Sequence, residues 1–276
     1  MKKLLFIGLL FSTSFTMQAQ VKIPQPSSTQ TIKQDFGMGN IELTYSRPGT
    51  KGRKIFGDLV PFDKLWRTGA NAATIIKFSE PVEIMGKKID TGSYALYTIP
   101  GKETWEIILN KGVKNWGIDG YAETDDVARV KVEPMKMKSR IETFTMQFAN
   151  IKPESCELHI MWEKIAVAIP FTANIKDKIR AQIEAAMLTE KKPYWVAAQF
   201  YNEYEKNSAK ALENATKAAE ANPKAYWILL YKAKIQKDMG DNAGALISST
   251  KSLELAKADN NDDYVKMNEE LIKKLK

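Results

Sequence analysis

The hydrophobic pattern of the chain changes at about residue 173, and this change limits the fold more than any other feature. Up to Thr172, short apolar segments alternate with polar residues at a period of two or form brief apolar stretches. Both patterns are typical of β-strands. After Ala173, apolar residues recur at helical spacing, as at Ile179, Ile183 and Met187. Thirteen of the 15 glycines precede residue 174, which favours turn-rich structure in the first part. We therefore predict a β part followed by an α part.

About nine short segments in the first part have strand character. They are residues 41–46, 73–78, 81–85, 93–99, 104–110, 128–134, 141–148, 156–162 and 165–171. Turn residues such as Pro100-Gly101-Lys102 separate several of them. Short strands joined by hairpins indicate an antiparallel β-sandwich, which we assign to residues 31–173. Residues 21–30, which contain proline and serine, form a lead-in.

An internal repeat of 34 residues is the sharpest feature of the second part. Ala211-Leu212 and the following Lys217-Ala218-Ala219-Glu220 recur as Ala245-Leu246 and Lys251-Ser252-Leu253-Glu254. The period and the small residues resemble the tetratricopeptide repeat. The second copy departs from that pattern at Lys232 and Gln236, where apolar or aromatic residues are usual. We predict that residues 174–276 form a tetratricopeptide-like α-helical hairpin domain with a capping helix, whose groove binds a protein or peptide.

The first 20 residues have the pattern of a secretory signal peptide. Lys2 and Lys3 precede an apolar run from Leu4 to about Phe15, and small and polar residues follow. The run is shorter than the roughly 20 residues that span a bilayer. We predict signal peptide 1–20 and an exported protein, periplasmic or extracellular and soluble after cleavage, with no transmembrane segment.

Charge and cysteine content exclude several classes of function. The formal net charge is +8, a mild lysine excess that favours weak attraction to anionic surfaces. No basic stripe interleaves with aromatic residues, so nucleic acid is not an expected partner. With one cysteine, Cys156, and one histidine, His159, neither an intramolecular disulfide nor a zinc site of standard spacing can form. We predict no cofactor.

Two places in the chain contain residue types that catalyse reactions in other proteins. Cys156 shares one strand face with Leu158, Ile160 and Trp162, which makes it a core residue, whereas His159 lies on the other face as a half-exposed histidine or a general base. The loop from Trp116 to Val130 contains four carboxylates. Together they could bind calcium or act as acid catalysts, but an ordinary solvated loop is the favoured interpretation. Trp116-Gly117 is alternatively part of a rim on which a ligand stacks. The four are Asp119, Glu123, Asp125 and Asp126.

The segment YSRPGTKGRKIFGDLVPFDKLWRTGAN, residues 45–71, contains three of the six arginines. It lacks the residue order of a phosphate-binding loop, and no helix pattern follows it. Arginine in a lysine-rich chain indicates a planar grip on a carboxylate, phosphate or carbonyl group. The grip is either internal, with Asp58 and Asp63 as expected partners, or external, on a ligand. The candidate ligand-binding residues are Arg47, Lys51, Arg53, Trp66, Arg67 and Asn71; Trp66 is alternatively a plug of the sandwich, and Asn71 alternatively orders a turn.

Three segments resemble those of one known family. They are the segment above extended to Thr74, then GSYALYTIPGKETWEIILNK and LHIMWEKIAVAIPF. The family is the domain of unknown function 2911 family, found in exported proteins of Gram-negative bacteria, and the resemblance covers about residues 22–172. It implies a β domain that is often followed by helical repeats. It supplies no reaction and therefore no functional residues.

These observations favour a binding or scaffolding protein of the cell envelope. The helical groove would engage a protein or peptide, and the arginine-rich segment an anionic envelope component such as a glycan. One alternative is a hydrolase or other enzyme that acts on envelope carbohydrate or peptidoglycan. Another is a carrier of a small hydrophobic ligand, which requires a deep apolar cavity in the sandwich.

Overall fold

A computed structural model describes residues 23–276, so the predicted signal peptide lies outside the described residues. In this part of the chain ten strands precede six helices, which confirms the predicted order of β and α structure. The strands are β1 Ser28–Phe36, β2 Gly39–Arg47, β3 Thr74–Phe78, β4 Val82–Ile84, β5 Lys87–Ile89, β6 Gly92–Ile99, β7 Trp105–Asn110, β8 Asp126–Val132, β9 Met135–Lys152 and β10 Ser155–Thr172. The helices are α1 Lys176–Met187, α2 Tyr194–Glu203, α3 Ser208–Ala221, α4 Tyr226–Asp238, α5 Asn242–Ala258 and α6 Asp262–Leu275.

The strands form two antiparallel sheets that share one core. The six-stranded sheet has the order β1-β2-β3-β6-β7-β8, and the four-stranded sheet the order β5-β4-β10-β9. Each sheet turns one face to the other, because apolar residues alternate along its strands, as Ile41, Leu43 and Tyr45 do in β2. Buried residues of both sheets belong to one continuous cluster. In β10, Cys156 and Trp162 lie on the buried face, as predicted.

The observed strands differ from the predicted segments in several places. Strand β1 is not among those segments and begins at Ser28, inside the expected lead-in; its largely polar side chains fit an edge strand with one neighbour and carry little apolar signal. Strand β5, which has only three residues, is not among them either, and β9 extends beyond the predicted 141–148 at both ends. The segments 156–162 and 165–171 form one strand, because Glu163 adopts a φ of 53° and the register with β9 shifts on either side of it. Such a bulge interrupts the hydrophobic alternation without ending the strand.

The helices follow the sheets through a short junction. Ile175 is buried, Lys178 forms an ion pair with Glu80, and Lys176 lies 3.5 Å from Glu154. These contacts hold the start of α1 against the strands. Within residues 23–276, no helix is both long enough and apolar enough to cross a membrane.

The later helices pack in chain order through small residues. Helix α2 packs against α3, and α4 packs against α5; Ala211 and Ala245, 34 residues apart, are fully buried in α3 and α5. Gln236 is buried, and hydrogen bonds satisfy its side-chain amide: Nε2 donates to Asp241 at 2.9 Å, and Oε1 accepts from the Ser248 hydroxyl at 2.7 Å. A polar residue therefore stands at a usually apolar position without leaving its amide unsatisfied. The tetratricopeptide assignment itself stays a prediction.

Candidate functional site

Aromatic rings fill the core beside the arginine-rich segment. Trp66 is only 8% exposed, and its ring stacks on Trp162 with centroids 6.0 Å apart. It also makes edge contacts with Phe56, Trp105 and Phe144. Its Nε1 donates to the Gly69 carbonyl at 3.1 Å. The body of Trp66 is thus part of the core, as the plug alternative expected, and only part of its surface faces outward.

Arg47, at the end of β2, forms hydrogen bonds with β9 of the four-stranded sheet. Its Nε donates to the Phe144 carbonyl at 3.1 Å, and its Nη2 donates to the Thr145 hydroxyl at 3.0 Å. The Phe144 N–H donates in turn to the Pro48 carbonyl at 2.9 Å. Arg47 therefore ties the end of β2 to the middle of β9, across 97 residues of sequence.

Arg53 and Lys51 lie in a loop that closes on itself and on β9. Arg53 donates from Nε to the Thr50 carbonyl at 3.0 Å and from Nη2 to the Gly49 carbonyl at 2.8 Å. The Glu142 carboxylate accepts from the Thr50 hydroxyl and from the Lys51 N–H, the latter at 2.8 Å. These hydrogen bonds, that from Thr50 first, hold the pKa of Glu142 below its usual range. Lys51 itself is exposed.

Asn71 forms hydrogen bonds with the segment that precedes β1. Its Nδ2 donates to Gln25 Oε1 at 2.9 Å, to the Ser27 carbonyl at 3.2 Å and to Ser46 Oγ at 3.2 Å. Its φ of 60° lies in the left-handed region that asparagine tolerates better than most residues. The side chain amide is therefore engaged in ordering the chain before β1.

The backbone from Trp66 to Asn71 is held in an unusual conformation. Thr68 has a φ of 55°, which is a strong outlier for a β-branched residue. Its hydroxyl lies 3.1 Å from that of Thr98, and its carbonyl accepts from the Thr74 hydroxyl at 2.7 Å. A Cβ at Gly69 would lie 2.9 Å from the Ser46 carbonyl oxygen, so only glycine fits there. Such strain persists only where the surrounding structure imposes it.

Arg67 is the exception in this well-bonded segment. Its Nε is buried and has no hydrogen-bond partner among the described residues, and no carboxylate of residues 23–276 forms an ion pair with its guanidinium. A Cβ at Gly117 would lie 2.9 Å from Arg67 Nη1, so the backbone of that loop packs directly on the guanidinium. Buried donors without a partner are rare and costly. Arg67 is therefore positioned by its neighbours but not neutralised by them.

A cleft of about 350 Å³ opens at Arg67. Its cations are Arg53, Lys64 and Arg67, and its lining contains no aspartate or glutamate. Apolar and aromatic side chains form the rest of the wall. They are Leu59, Val60, Pro61, Leu65, Trp66, Ile118 and Trp162, and Ser27, Pro48, Gly69 and Ala70 complete the lining. The cleft can therefore accept a negative charge and an apolar group at the same time.

The structure brings only three of the six candidate residues to this cleft, namely Arg53, Trp66 and Arg67. Arg47, Lys51 and Asn71 are not among its lining residues. The expected internal partners Asp58 and Asp63 form no ion pair with the three arginines in the described part of the chain; carbonyl and hydroxyl oxygens accept from Arg47 and Arg53 instead. No sequence pattern marks Lys64, Ile118 and Trp162 as residues of the cleft, although Trp116-Gly117 indicates the loop that carries Ile118.

The acidic loop is organised around Arg129. Its guanidinium donates to Glu106 at 2.6 Å and to Asp126 at 2.8 Å, and Tyr121 donates its hydroxyl to Asp126 at 2.9 Å. Burial, followed by the hydrogen bond to Asp126, raises the pKa of Tyr121 to about 12. The other three carboxylates of the loop, Asp119, Glu123 and Asp125, belong to exposed residues. Within residues 23–276, no group of three or more histidine, cysteine, aspartate and glutamate side chains is placed to hold a metal ion.

The histidine and the cysteine lie on opposite faces of β10. His159 Nε2 lies 2.7 Å from Glu157 Oε2, and this contact is the largest cause of the lowered pKa of Glu157. Cys156 is buried, and burial raises the pKa of its thiol to about 11. A thiol with that pKa is a poor nucleophile near neutral pH.

Comparison with known proteins places the cleft inside one family domain. The family model described as "Protein of unknown function (DUF2911)" matches residues 27–171, more than half of the chain. The chain belongs to this family. All residues that line the cleft, from Ser27 to Trp162, fall inside the matched DUF2911 region. No curated protein and no solved structure gave a significant match.

Proposed function

We propose that this protein is a non-catalytic binding protein of the cell envelope whose DUF2911 domain takes an anionic ligand with an apolar portion at Arg67. The observation that carries the proposal is the guanidinium of Arg67, which lines the cleft and forms no ion pair with a carboxylate of the described residues. A carboxylate, phosphate or sulfate bound in the cleft would neutralise this guanidinium and accept hydrogen bonds from it. Export, predicted from residues 1–20, supports an envelope component as the source of the ligand.

The charge of the cleft favours an anion. Three cations line it without a carboxylate, so an anion that enters meets attraction from every charged side chain in the wall. Hydrogen bonds from a charged donor are worth about 1.5–3 kcal/mol, more than neutral ones. One side of the Arg67 guanidinium lies close to the backbone at Gly117, which limits its free movement and reduces the ordering needed when a ligand binds.

The remaining lining favours an apolar portion in the same ligand. Trp66, Trp162, Leu65 and Ile118 contribute rings and branched side chains around the cations. The volume of about 350 Å³ is near the lower end of the usual range for ligand pockets, about 300–1,000 Å³. A small amphiphilic anion, or the charged end of a larger molecule, fits these dimensions.

A second binding surface on the helices supports the predicted scaffolding role. Trp195, Trp227 and Tyr231 line a shallow groove of about 240 Å³ between α2, α4 and α6, together with Lys234. Lys234 also borders a neighbouring groove, whose lining contains Lys237 and Lys274 together with Asp238 and Glu270. Aromatic residues beside lysines suit a peptide that has both apolar and acidic side chains. Enrichment of such peptides from a displayed library, lost on Trp227→Ser, is the expected result; a library that gives no enrichment would contradict this role.

Two alternatives receive less support from the packing. A hydrolase would need cooperating carboxylates, but Asp126 is bonded to Tyr121 and Arg129, while Asp119 and Asp125 are exposed. A carrier of small hydrophobes would need space between the sheets, where Trp66, Trp105 and Trp162 are packed.

A ligand panel tests the anion proposal. Thermal unfolding is followed with phenyl phosphate, phenylacetate and hexanoate, with phenol and hexanol as neutral compounds that carry similar apolar groups, and with inorganic phosphate as an anion without an apolar group. We expect the amphiphilic anions to raise the unfolding temperature more than either control class. Equal shifts by the neutral compounds, or no shift by any anion, would overturn the proposal.

A further inference from the structure

Large apolar side chains are exposed around the mouth of the Arg67 cleft. Leu59 and Ile118 line the cleft and are 44% and 47% exposed. Trp116, which is 63% exposed, directly precedes the glycine that packs on the Arg67 guanidinium. The three side chains come from two loops, one before Trp66 and one after β7. An exposed tryptophan beside two exposed aliphatic residues is unusual on a surface that faces only water.

The same two loops are strongly basic. Residues 51–67 and 111–119 contain seven lysines and arginines, three aspartates and no glutamate. Lys54, Lys64, Lys111 and Lys114 are exposed. Their long side chains can reach past apolar neighbours and keep their charges in water. Of these four lysines, Lys64 lines the cleft itself, together with Arg53 and Arg67. The mouth of the cleft therefore combines positive charge with exposed apolar groups.

We propose that this surface, formed by Leu59, Trp116, Ile118 and the surrounding lysines, docks on an anionic membrane, with the cleft at Arg67 taking the phosphate group of a lipid. This inference rests on the proposed function, because the lipid phosphate is the anion that Arg67 binds. Tryptophan is favoured at the level of lipid headgroups, since its ring is apolar and its N–H is polar. Basic side chains next to it are attracted by anionic lipids and lose that attraction in salt.

The geometry suits a lipid surface better than a dissolved anion alone. The cleft binds a charge within the protein, whereas Trp116 and the exposed parts of Leu59 and Ile118 lie outside it, where a small dissolved anion leaves them in water. At a membrane the headgroup enters the cleft and these side chains enter the interface beside it. The attachment inferred here is peripheral, through the two loops that carry these side chains.

Vesicle sedimentation tests this inference. The purified chain and its variants, all with the same N-terminus, are mixed with vesicles of phosphatidylcholine alone or of phosphatidylcholine with phosphatidylglycerol. We expect binding to the anionic vesicles that is stronger by on the order of tenfold and that falls as salt increases. Equal binding to both vesicle types would overturn the inference.

Two substitutions locate the contact. Trp116→Ser removes an exposed ring that does not line the cleft, so we expect it to weaken vesicle binding and to leave the thermal shift with phenyl phosphate intact. Ile247→Ser is the control, because Ile247 is 72% exposed on α5 and should not affect vesicle binding. Loss of vesicle binding in both variants, or in neither, would contradict docking at the cleft.

The two proposals fail in distinguishable ways. If phenyl phosphate stabilises the chain through Arg67 but anionic vesicles do not bind, the membrane inference is wrong and the anion site stands. If neither phenyl phosphate nor anionic vesicles bind, the anion site itself is wrong. Competition between glycerol phosphate and anionic vesicles for the same protein would support a shared phosphate site, and unchanged vesicle binding in excess glycerol phosphate would contradict it.

Discussion

Gly117 packs against Arg67 so closely that a Cβ at position 117 would lie 2.9 Å from Arg67 Nη1. Contact at that distance is tighter than real Cβ atoms show, so an alanine at position 117 would force the end of the Arg67 side chain to move. The φ of Gly117 is also positive, at 67°. The loop after β7 is therefore shaped around the arginine that carries the proposed function.

Gly117→Ala should lower both stability and anion binding. The positive φ alone costs an alanine about 1–2 kcal/mol, and the displaced guanidinium adds to this cost. Gly86→Ala is the matched control, since Gly86 has a φ of 83° and open space around its Cβ position. Urea unfolding and the thermal shift with phenyl phosphate measure the two effects. We expect Gly86→Ala to lose stability through its backbone conformation alone and to bind the anion normally. Identical behaviour of the two variants would contradict the contact between Gly117 and Arg67.

Trp66→Ala tests whether the tryptophan of the arginine-rich segment is a core residue. Removal of a buried ring of this size costs about 3–5 kcal/mol in the free energy of unfolding. Trp66→Phe keeps much of the ring and loses the hydrogen bond to the Gly69 carbonyl, so its cost should be clearly smaller. A change below about 1 kcal/mol for Trp66→Ala in urea unfolding would show that the ring contributes little to the core.

Period-two alternation and its loss after residue 173 were enough to predict two antiparallel sheets followed by helices. Alternation failed at β1, where an edge position permits polar side chains, and at Glu163, where a bulge shifts the register. The roles of the arginines depend on pairing between distant strands. Arg47 meets Phe144 across 97 residues, and nothing local to either position predicts that contact. The sequence therefore identified the segment, while the separate part played by Arg67 required the three-dimensional structure.

Glu142 should make stability depend on pH in the acid range. Because its hydrogen bonds from Thr50 and Lys51 favour the carboxylate, its pKa in the folded state lies below the ordinary value of 4.5. The stabilisation is complete above that ordinary value and is lost as the pH falls through the folded-state pKa. Glu142→Gln should therefore be less stable than wild type at neutral pH, with a difference that shrinks in acid.

Urea unfolding at neutral and acid pH checks this expectation. Glu220→Gln, at an exposed position of α3, is the control and should show no such change in difference. If the difference in the free energy of unfolding between wild type and Glu142→Gln stays constant or grows as the pH falls, the proposed role of the carboxylate is wrong.

Cys156 should be a slow target for thiol reagents in the folded protein. Burial, with a smaller effect of Glu157, raises the pKa of its thiol to about 11, so the reactive thiolate is scarce at mildly alkaline pH. Labelling should be fast in urea and slow in the native state. The labelling rate of the native protein should depend on how often the protein unfolds. Rapid, complete labelling of the native protein would contradict the buried position.

The most direct measurement compares Arg67→Met with Arg47→Met for stability and for binding of phenyl phosphate. Arg47 donates two hydrogen bonds to β9, so its loss should lower the free energy of unfolding by about 1.5–3 kcal/mol. Arg67 has a buried Nε without a partner among the described residues, so Arg67→Met should remain within about 1 kcal/mol of wild type. We expect Arg67→Met to lose the thermal shift with phenyl phosphate and the folded Arg47→Met variant to retain it. Wild-type binding in Arg67→Met would contradict the proposed site.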